Sequence, residues 1–263
     1  DTDRSRGLGD VYKRQIIKSV NLIIDIGNTC VKLVCFNDGK VVEEQRTDKD
    51  DAVALQSFCS RYPFSRGICS SVSDISEEYS AVLSSLPFSM MEFKSGITRV
   101  PIINKYNTPL TLGSDRLAAV VGANWLQPGR DVLVIDIGTC VTFDFINSIG
   151  EYLGGNISPG PTMRLKALNQ FTARLPFVER RGDTPDFGTD TTTAIRSGVM
   201  NGIKYEIEGY IHSFLAKYPQ LFVYLTGGVH LNLQFSENLS IFADDFIVPK
   251  GLNRILEYNN EHK

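Results

Sequence analysis

The chain has little of what metal sites and disulfide scaffolds usually need. Its 263 residues include only three histidines, and these are too far apart in sequence to indicate a ligand cluster (His212, His230 and His262). The five cysteines are odd in number and scattered, and they include no Cys-x-x-Cys pair. This pattern favours neither a zinc site nor a disulfide framework, and it fits a protein of the reducing cytoplasm.

Long apolar runs and excess positive charge are missing too. The longest aliphatic runs have the length of a strand and are interrupted by charges, so the sequence predicts no membrane span. The formal net charge is -3 and the pI is near 5.7, whereas a nucleic-acid surface normally needs a basic excess. We therefore expect no membrane and no nucleic-acid partner. A hydrophobic content of 42% suffices for two modest cores.

The chain does contain one short sequence motif that occurs twice, at residues 22–29 and 132–139. In each copy an aliphatic run ends in Asp-Ile-Gly, which predicts a buried strand with a carboxylate at a sharp turn. A carboxylate can hold a hydrated metal ion, and a glycine lets backbone approach a phosphate. A single copy is most often just a strand that ends in a turn. The pair predicts two related halves that close around a nucleotide.

The remaining pattern predicts an α/β fold with mixed sheets flanked by helices. We expect an N-terminal domain over residues 16–130 and a C-terminal domain over residues 131–263, whereas residues 1–15 are polar and aperiodic and are expected to be an extraneous or disordered tail. A hairpin is predicted after each Asp-Ile-Gly bend. Helices are predicted near residues 52–62, 76–86, 113–127 and 192–218, and tight turns over the glycine-rich residues 154–160.

Five motifs then indicate a specific protein family. They are Asp25-Ile-Gly-Asn-Thr29, Tyr106-x-x-Pro109-x-x-Leu-Gly113-x-Asp115-Arg116, Asp136-Ile-Gly-Thr139, Gly154-Gly-x-Ile-x-Pro-Gly160 and Thr191-x-x-Ala-Ile-x-Ser-Gly198. Together they resemble the type III pantothenate kinases, over roughly residues 20 to 255. The resemblance implies the superfold of actin, sugar kinases and Hsp70, in which two ribonuclease H-like domains hold ATP between them. It also implies phosphorylation of pantothenate to 4'-phosphopantothenate, the first step of coenzyme A biosynthesis.

The resemblance assigns the catalytic base to Asp115. In phosphoryl transfer a carboxylate orients the attacking hydroxyl and accepts its proton late. Asp115 falls at the start of a predicted helix, where the helix dipole favours the ionised form. Without the resemblance, a simple capping role would be the ordinary interpretation of such an aspartate.

The resemblance also implies the pantothenate contacts. Arg116 would pair two oxygens of the substrate carboxylate with its guanidinium fork. Tyr106 and Thr191 would bind the amide and hydroxyls, with an uncertainty of one position among the three threonines at 191–193. Gly113 and Ser114 complete the substrate-binding segment.

For ATP, the implied contacts come from both bends. Asp25 would hold Mg²⁺ through water, and Asp136 would bind the monovalent cation, K⁺ or NH₄⁺, that the family needs. Lys32 is either a phosphate contact or a solvated strand lysine. The expected ATP-binding residues are Asp25, Ile26, Gly27, Asn28, Thr29, Cys30, Val31, Lys32 and Thr139.

The resemblance further implies a homodimer, to which the long helix after Thr191 would contribute. Two alternatives stay open. The chain could be a non-catalytic regulator or binding relative of the family, although an intact Asp115 and the acidic pI argue against it. It could also be another small-molecule kinase or ATPase of the superfold, against which the Gly-x-Asp-Arg after a Tyr-x-x-Pro loop argues.

Overall fold

A computed structural model describes residues 20–228 and 240–262. The tail predicted for residues 1–15 lies outside the described residues, and so does His230. The chain divides into two compact units between Phe93 and Lys94. Within the described parts of the chain, no helix is long and apolar enough to cross a bilayer.

The first unit is a five-stranded mixed sheet with two short helices. Its strand order is β3-β2-β1-β4-β5, with β1, β2 and β3 antiparallel and with β4 and β5 parallel to β1. Asp51 and Ser76 cap the two helices by accepting backbone N–H bonds. The elements are β1 (Val20–Ile26), β2 (Val31–Asn37), β3 (Lys40–Thr47), α1 (Ala52–Ser60), β4 (Phe64–Ser71), α2 (Glu77–Ser85) and β5 (Ser89–Phe93).

The second unit has a six-stranded sheet in the order β11-β10-β7-β8-β9-β6. A 3₁₀ turn at Pro109–Thr111 precedes its first helix. The elements are β6 (Ile103–Asn104), α3 (Ser114–Leu126), β7 (Val132–Ile137), β8 (Cys140–Ile146), β9 (Glu151–Pro159), α4 (Pro161–Gln170), α5 (Thr191–Leu215), β10 (Phe222–Thr226), β11 (Ser240–Ala243) and α6 (Ile247–Glu261).

The two sheets repeat one design. Strand β7 pairs antiparallel with β8 and parallel with β10, just as β1 pairs antiparallel with β2 and parallel with β4. Strands β9 and β11 extend this pattern as β3 and β5 do in the first sheet. The duplicated Asp-Ile-Gly phrase therefore marks a duplicated sheet, and it lies at the end of the central strand each time.

The division of the units differs from the domain boundary predicted near residue 130. Helix α3, which precedes that boundary, belongs to the second unit because it packs against α6. The two helices touch through glycines: a Cβ on Gly122 would lie 2.3 Å from the carbonyl oxygen of Ile247, and one on Gly251 would lie 1.8 Å from that of Ala118. The boundary at residue 130, as a division between related halves, stays a prediction.

The core of the second unit lies between its sheet and α5. Buried residues recur every fourth position along that helix, as its sequence predicts, at Ile195, Val199, Ile203, Ile207 and Ile211. Gly198 and Gly202 lie on a neighbouring face of this helix. Within the described chain, a Cβ built on either glycine would meet no other element within 4 Å.

Candidate functional site

A buried ion pair lies directly behind the N-terminus of α3. The Arg116 Nη2 atom is 2.6 Å and Nε is 3.0 Å from the Oδ1 atom of Asp144, and both side chains are nearly inaccessible to solvent. The Tyr152 hydroxyl donates to the same Oδ1 atom at 2.7 Å. Burial lowers the pKa of Arg116, but the charge and hydrogen bonds of Asp144 more than offset this, so the guanidinium remains charged.

Tyr106 covers this pair. Its ring is parallel to that of Tyr152, with centroids 6.0 Å apart, and the Arg116 guanidinium carbon lies 5.8 Å from the Tyr106 centroid. A cation within about 6 Å of a ring centroid is attracted by the ring quadrupole. The loop residue Tyr106 and the helix residue Arg116 therefore come together, as the resemblance implies for a shared substrate pocket.

Glycines of β9 make room for these side chains. Gly155 is the cross-strand partner of Asp144, and a Cβ added there would lie 2.5 Å from Asp144 Oδ1 and 2.9 Å from Arg116 Nη2. A Cβ on Gly154 would contact the Tyr106 ring at 3.7 Å. The prediction of tight turns over residues 154–160 is wrong, because β9 continues to Pro159. These glycines serve close packing within a strand.

Asp115 lies in the first turn of α3 and is partly exposed. Its Oδ1 atom accepts the backbone N–H of Arg116 at 2.8 Å. The cap position belongs to Gly113, where a Cβ would lie 2.6 Å from Asp115 Oδ1, so the glycine leaves space for this carboxylate. Ser114, between them, is buried. Asp115 is thus not the cap residue of the helix.

The electrostatics of Asp115 differ from the sequence-based expectation. Burial is the largest effect and raises its pKa above the ordinary value of 3.8, and the negative charge of Asp144 acts in the same direction. The hydrogen bond from the Arg116 backbone opposes this shift but does not cancel it. Ionisation of Asp115 is therefore less favourable than in an ordinary aspartate, contrary to the expectation, because desolvation outweighs the favourable helix N-terminus.

The first bend is a tight turn with polar residues at its tip. The Gly27 N–H donates to the Cys30 carbonyl at 3.1 Å, and Asn28 and Thr29 are exposed. Asp25 and Lys32 are directly opposite each other in the β1–β2 ladder, so their side chains project from the same face of the sheet. The lysine therefore lies beside the carboxylate, as a role in binding charged groups requires.

The second bend has the same shape but different neighbours. The Gly138 N–H donates to the Cys140 carbonyl at 2.8 Å, and Asp136 is opposite Thr142 rather than a lysine. Gly227 adopts a φ of +103°, and a Cβ there would lie 2.6 Å from Asp136 Oδ1. A Cβ on Gly160 would lie 2.4 Å from the Thr139 carbonyl oxygen. Carboxylate and carbonyl oxygens, both of which are present at this bend, are the ligands that a hard cation prefers.

Thr191 is the first residue of α5, and the cavity that it lines includes neither Tyr106 nor Arg116. It lines a cavity of about 850 Å³ between α4 and α5, whose walls include Arg164, Phe171 and Ile195. Of the three adjacent threonines, Thr193 is engaged in a capping box with Asp190. This leaves Thr191 and Thr192 as the candidates for a substrate contact.

Sequence reasoning missed Asp144 and Tyr152. The available signal was a carboxylate inside the otherwise apolar strand β8, since an unpaired charge is rarely buried. Nothing in the sequence indicated that its partner would be Arg116.

Comparison with known proteins shows what this arrangement resembles. The model of the family "Type III pantothenate kinase" matches residues 21–213. A type III pantothenate kinase from Phocaeicola vulgatus is 53% identical over 242 residues, covering 92% of this chain and all of that protein. A conserved Baf family protein from Campylobacter jejuni has a solved structure with a TM-score of 0.58 at 21% identity, covering 91% of this chain and 99% of the other.

A second solved structure extends the comparison of folds. The ROK family glucokinase from Streptomyces griseus has a TM-score of 0.51 at 10% identity, over 91% of this chain and 99% of the glucokinase. At this identity the likeness shows the fold alone. The predicted fold class, two related α/β sheets flanked by helices in the actin-like superfold, is confirmed.

Proposed function

We propose residue roles for this chain from the premise that it belongs to the type III pantothenate kinase family. It is a kinase that uses ATP to phosphorylate pantothenate, the first step of coenzyme A biosynthesis. The predicted function and enzyme class are confirmed at this level.

The proposed base is Asp115. In this mechanism its carboxylate accepts a hydrogen bond from the primary hydroxyl of pantothenate and takes the proton as the oxygen bonds to the γ-phosphorus. ADP leaves from the opposite side, and the product is 4'-phosphopantothenate. The observation that carries this proposal is the fixed and partly exposed carboxylate at the start of α3, which the Arg116 N–H holds at 2.8 Å. A raised pKa makes it a better proton acceptor than an ordinary aspartate.

The proposed pantothenate pocket surrounds this carboxylate. Tyr106 and Arg116 bind the acid end and the amide of the substrate, with Gly113 and Ser114 as backbone of the same segment. The packing of Tyr106 over the guanidinium supports this grouping. Arg116 cannot offer its whole fork, because Nε and Nη2 are already bonded to Asp144 and Tyr152. Its contact with the carboxylate is proposed to use Nη1.

For the nucleotide we propose contacts from both bends. Asp25 holds Mg²⁺ through water, and residues 26–32 and Thr139 contact the phosphates. The pairing of Asp25 with Lys32 in the ladder supports the first assignment. When bound, Mg²⁺ would neutralise charge on the phosphates. Asp136 is proposed to bind K⁺ or NH₄⁺, and the carbonyl oxygens around Gly160 and Gly227 support oxygen ligation there.

We also propose a homodimer that works in the cytoplasm. Helix α5 carries Gly198, Gly202 and Gly209, where added Cβ atoms would meet nothing within 4 Å, and such a surface allows close approach of another helix. The cavity beside Thr191 includes neither Tyr106 nor Arg116, and this supports a contribution from a second copy to the pantothenate pocket. All five cysteines are free thiols, as a reducing compartment favours.

The test is an ADP-release assay with pantothenate, with a hexose and without acceptor, each with and without K⁺. We expect pantothenate-dependent and K⁺-dependent release. Release with the hexose alone would replace the substrate assignment, and no release with any acceptor would favour a regulatory relative.

A further inference from the structure

The buried carboxylate of Asp144 makes none of the contacts proposed for substrate or nucleotide, yet it accepts several hydrogen bonds beside the proposed pantothenate pocket. Its Oδ1 atom accepts from Arg116 Nε at 3.0 Å, from Arg116 Nη2 at 2.6 Å and from the Tyr152 hydroxyl at 2.7 Å. Its Oδ2 atom lies 3.1 Å from Arg116 Nε. The residue is 1% exposed. A carboxylate buried this far needs such partners, because desolvation of a lone charge is costly.

Three hydrogen bonds of the Arg116 guanidinium, two to Asp144 and one to Tyr152, hold this side chain in place. Nε has a single hydrogen, which Asp144 accepts, and the two hydrogens of Nη2 are directed to Asp144 and to the Tyr152 oxygen at 3.3 Å. The Nη1 nitrogen takes part in none of these bonds. A long side chain with several rotatable bonds thus becomes a fixed donor whose Nη1 group is engaged by neither Asp144 nor Tyr152 in these bonds.

We infer that Asp144 is a positioning residue for substrate binding, which fixes Arg116 so that its Nη1 group meets the carboxylate of pantothenate. The inference rests on the proposed role of Arg116. Tyr152 has the supporting role, since its hydroxyl bridges Asp144 and Arg116 while its ring supports Tyr106. Asp144 touches no substrate atom in this arrangement and acts through Arg116 alone.

Two effects of Asp144 on substrate binding oppose each other, and this makes the inference testable. Its negative charge neutralises Arg116 and repels a substrate anion, so removing the charge alone would tighten pantothenate binding. Its hydrogen bonds hold the guanidinium, so removing them would loosen binding. If positioning is the function, Asp144→Asn weakens pantothenate binding although it makes the pocket more positive.

The experiment compares Asp144→Asn and Tyr152→Phe with the wild-type protein in the ADP-release assay, with KM measured separately for pantothenate and ATP. We expect Asp144→Asn to raise KM for pantothenate about tenfold, equivalent to one lost charged hydrogen bond, with KM for ATP nearly unchanged. Tyr152→Phe retains the ion pair, so we expect a rise of about threefold. Asp244→Asn is the control, because it breaks a similar 2.6 Å pair with Lys250 elsewhere in the unit.

A double-mutant cycle separates positioning from general stability. In an Arg116→Ala background, Asp144→Asn should change KM for pantothenate less than about twofold, since its route of action is gone. If the effects of Asp144→Asn and Arg116→Ala on KM for pantothenate were fully additive, the inference would be overturned. An unchanged or lower KM for pantothenate in Asp144→Asn alone would overturn it too. Equal effects on both substrates would do the same. If Asp144→Asn does not fold, an unaltered KM in Tyr152→Phe decides against it. Wild-type protein inactive on pantothenate would instead refute the proposed function.

Discussion

The Asp115 carboxylate accepts the backbone N–H of its neighbour Arg116, so the proposed base and the proposed substrate anchor move as one piece at the start of α3. Asp144 then holds the Arg116 side chain from within the sheet. The proposed proton acceptor is therefore linked to the core through the residue that would bind the other end of the substrate. In the proposed mechanism, this linkage would keep the substrate hydroxyl close to the base once the acid end is bound.

Replacement of the base should remove most turnover. We expect Asp115→Asn to lower kcat about 100-fold or more, with smaller effects on either KM, because general-base catalysis typically contributes that much. Because burial raises the pKa of Asp115, the acid limb of the wild-type kcat/KM profile should lie above pH 3.8, and activity should fall as pH drops through it. ADP release across pH measures both. A variant that turns over at the wild-type rate would rule out this base.

The same pKa shift predicts a gain in stability from that substitution. Between the ordinary and the raised pKa, the folded state binds more protons than the unfolded state, so stability falls as pH rises through this window. At pH values above this window, the buried negative charge of Asp115 destabilises the folded state. Asp115→Asn removes that cost, so we expect a higher Tm than wild type at pH 7 and no difference below about pH 3.8. Equal melting temperatures at both pH values would contradict the cause assigned to the shift.

The glycine opposite Asp144 should tolerate no side chain. A Cβ at Gly155 would lie 2.0 Å from the Phe143 carbonyl oxygen, so Gly155→Ala forces β8 and β9 apart and disturbs the ion pair. We expect a loss of about 1–3 kcal/mol in the free energy of unfolding and a higher KM for pantothenate. Denaturant unfolding measures the first effect. Gly228→Ala is the matched control, since a Cβ there meets nothing within 4 Å.

Two adjacent glycines give a test of the proposed cation site. Gly227→Ala places a Cβ 2.6 Å from Asp136 Oδ1 at a φ that alanine avoids, whereas Gly228→Ala meets nothing within 4 Å. We expect the first variant to need about tenfold more K⁺ for half-maximal activity, because the carboxylate must move. The second should behave like wild type. If both variants need the same K⁺ concentration for half-maximal activity, Asp136 does not bind the cation.

The proposed dimer predicts a defined response to bulk on α5. Gly202→Trp fills space that is open in the single chain, so we expect the folded subunit to persist but the dimer to dissociate to monomers. Light scattering after size-exclusion chromatography gives the mass. Val53→Trp, on an exposed face of α1, is the control. A dimer of unchanged affinity in Gly202→Trp would remove α5 from the interface.

Local patterns predicted those parts of the fold in which one element determines its own structure. The paired bends at Asp25 and Asp136 were predicted from an apolar run ending in Asp-Ile-Gly, and α5 from its period. Helix α6 was not predicted, and its sequence contains Pro249 and Gly251, two residue types that ordinarily disfavour a helix. Proline is tolerated in a first turn, and Gly251 is needed where α6 crosses α3.

The site was predictable to the same extent. Tyr106, Asp115 and Arg116 were found because they share a motif in sequence, and the structure groups Tyr106 with Arg116. Asp144 and Tyr152 lie on other strands, so only the fold brings them to Arg116. The rise in the pKa of Asp115 likewise depends on its burial in the fold and on the charge of Asp144, which is distant in sequence. Such properties belong to tertiary structure and cannot be read from local sequence.

The contact of Gly122 with Gly251 joins the helix that carries Asp115 to one that is made much later during translation. The first unit can form its sheet while the ribosome is still at work, since its strands are contiguous along the chain. Helix α3 cannot find its final support until α6 has left the exit tunnel. A nascent chain that stalls before that point would therefore lack the helix packing that supports the proposed base, Asp115.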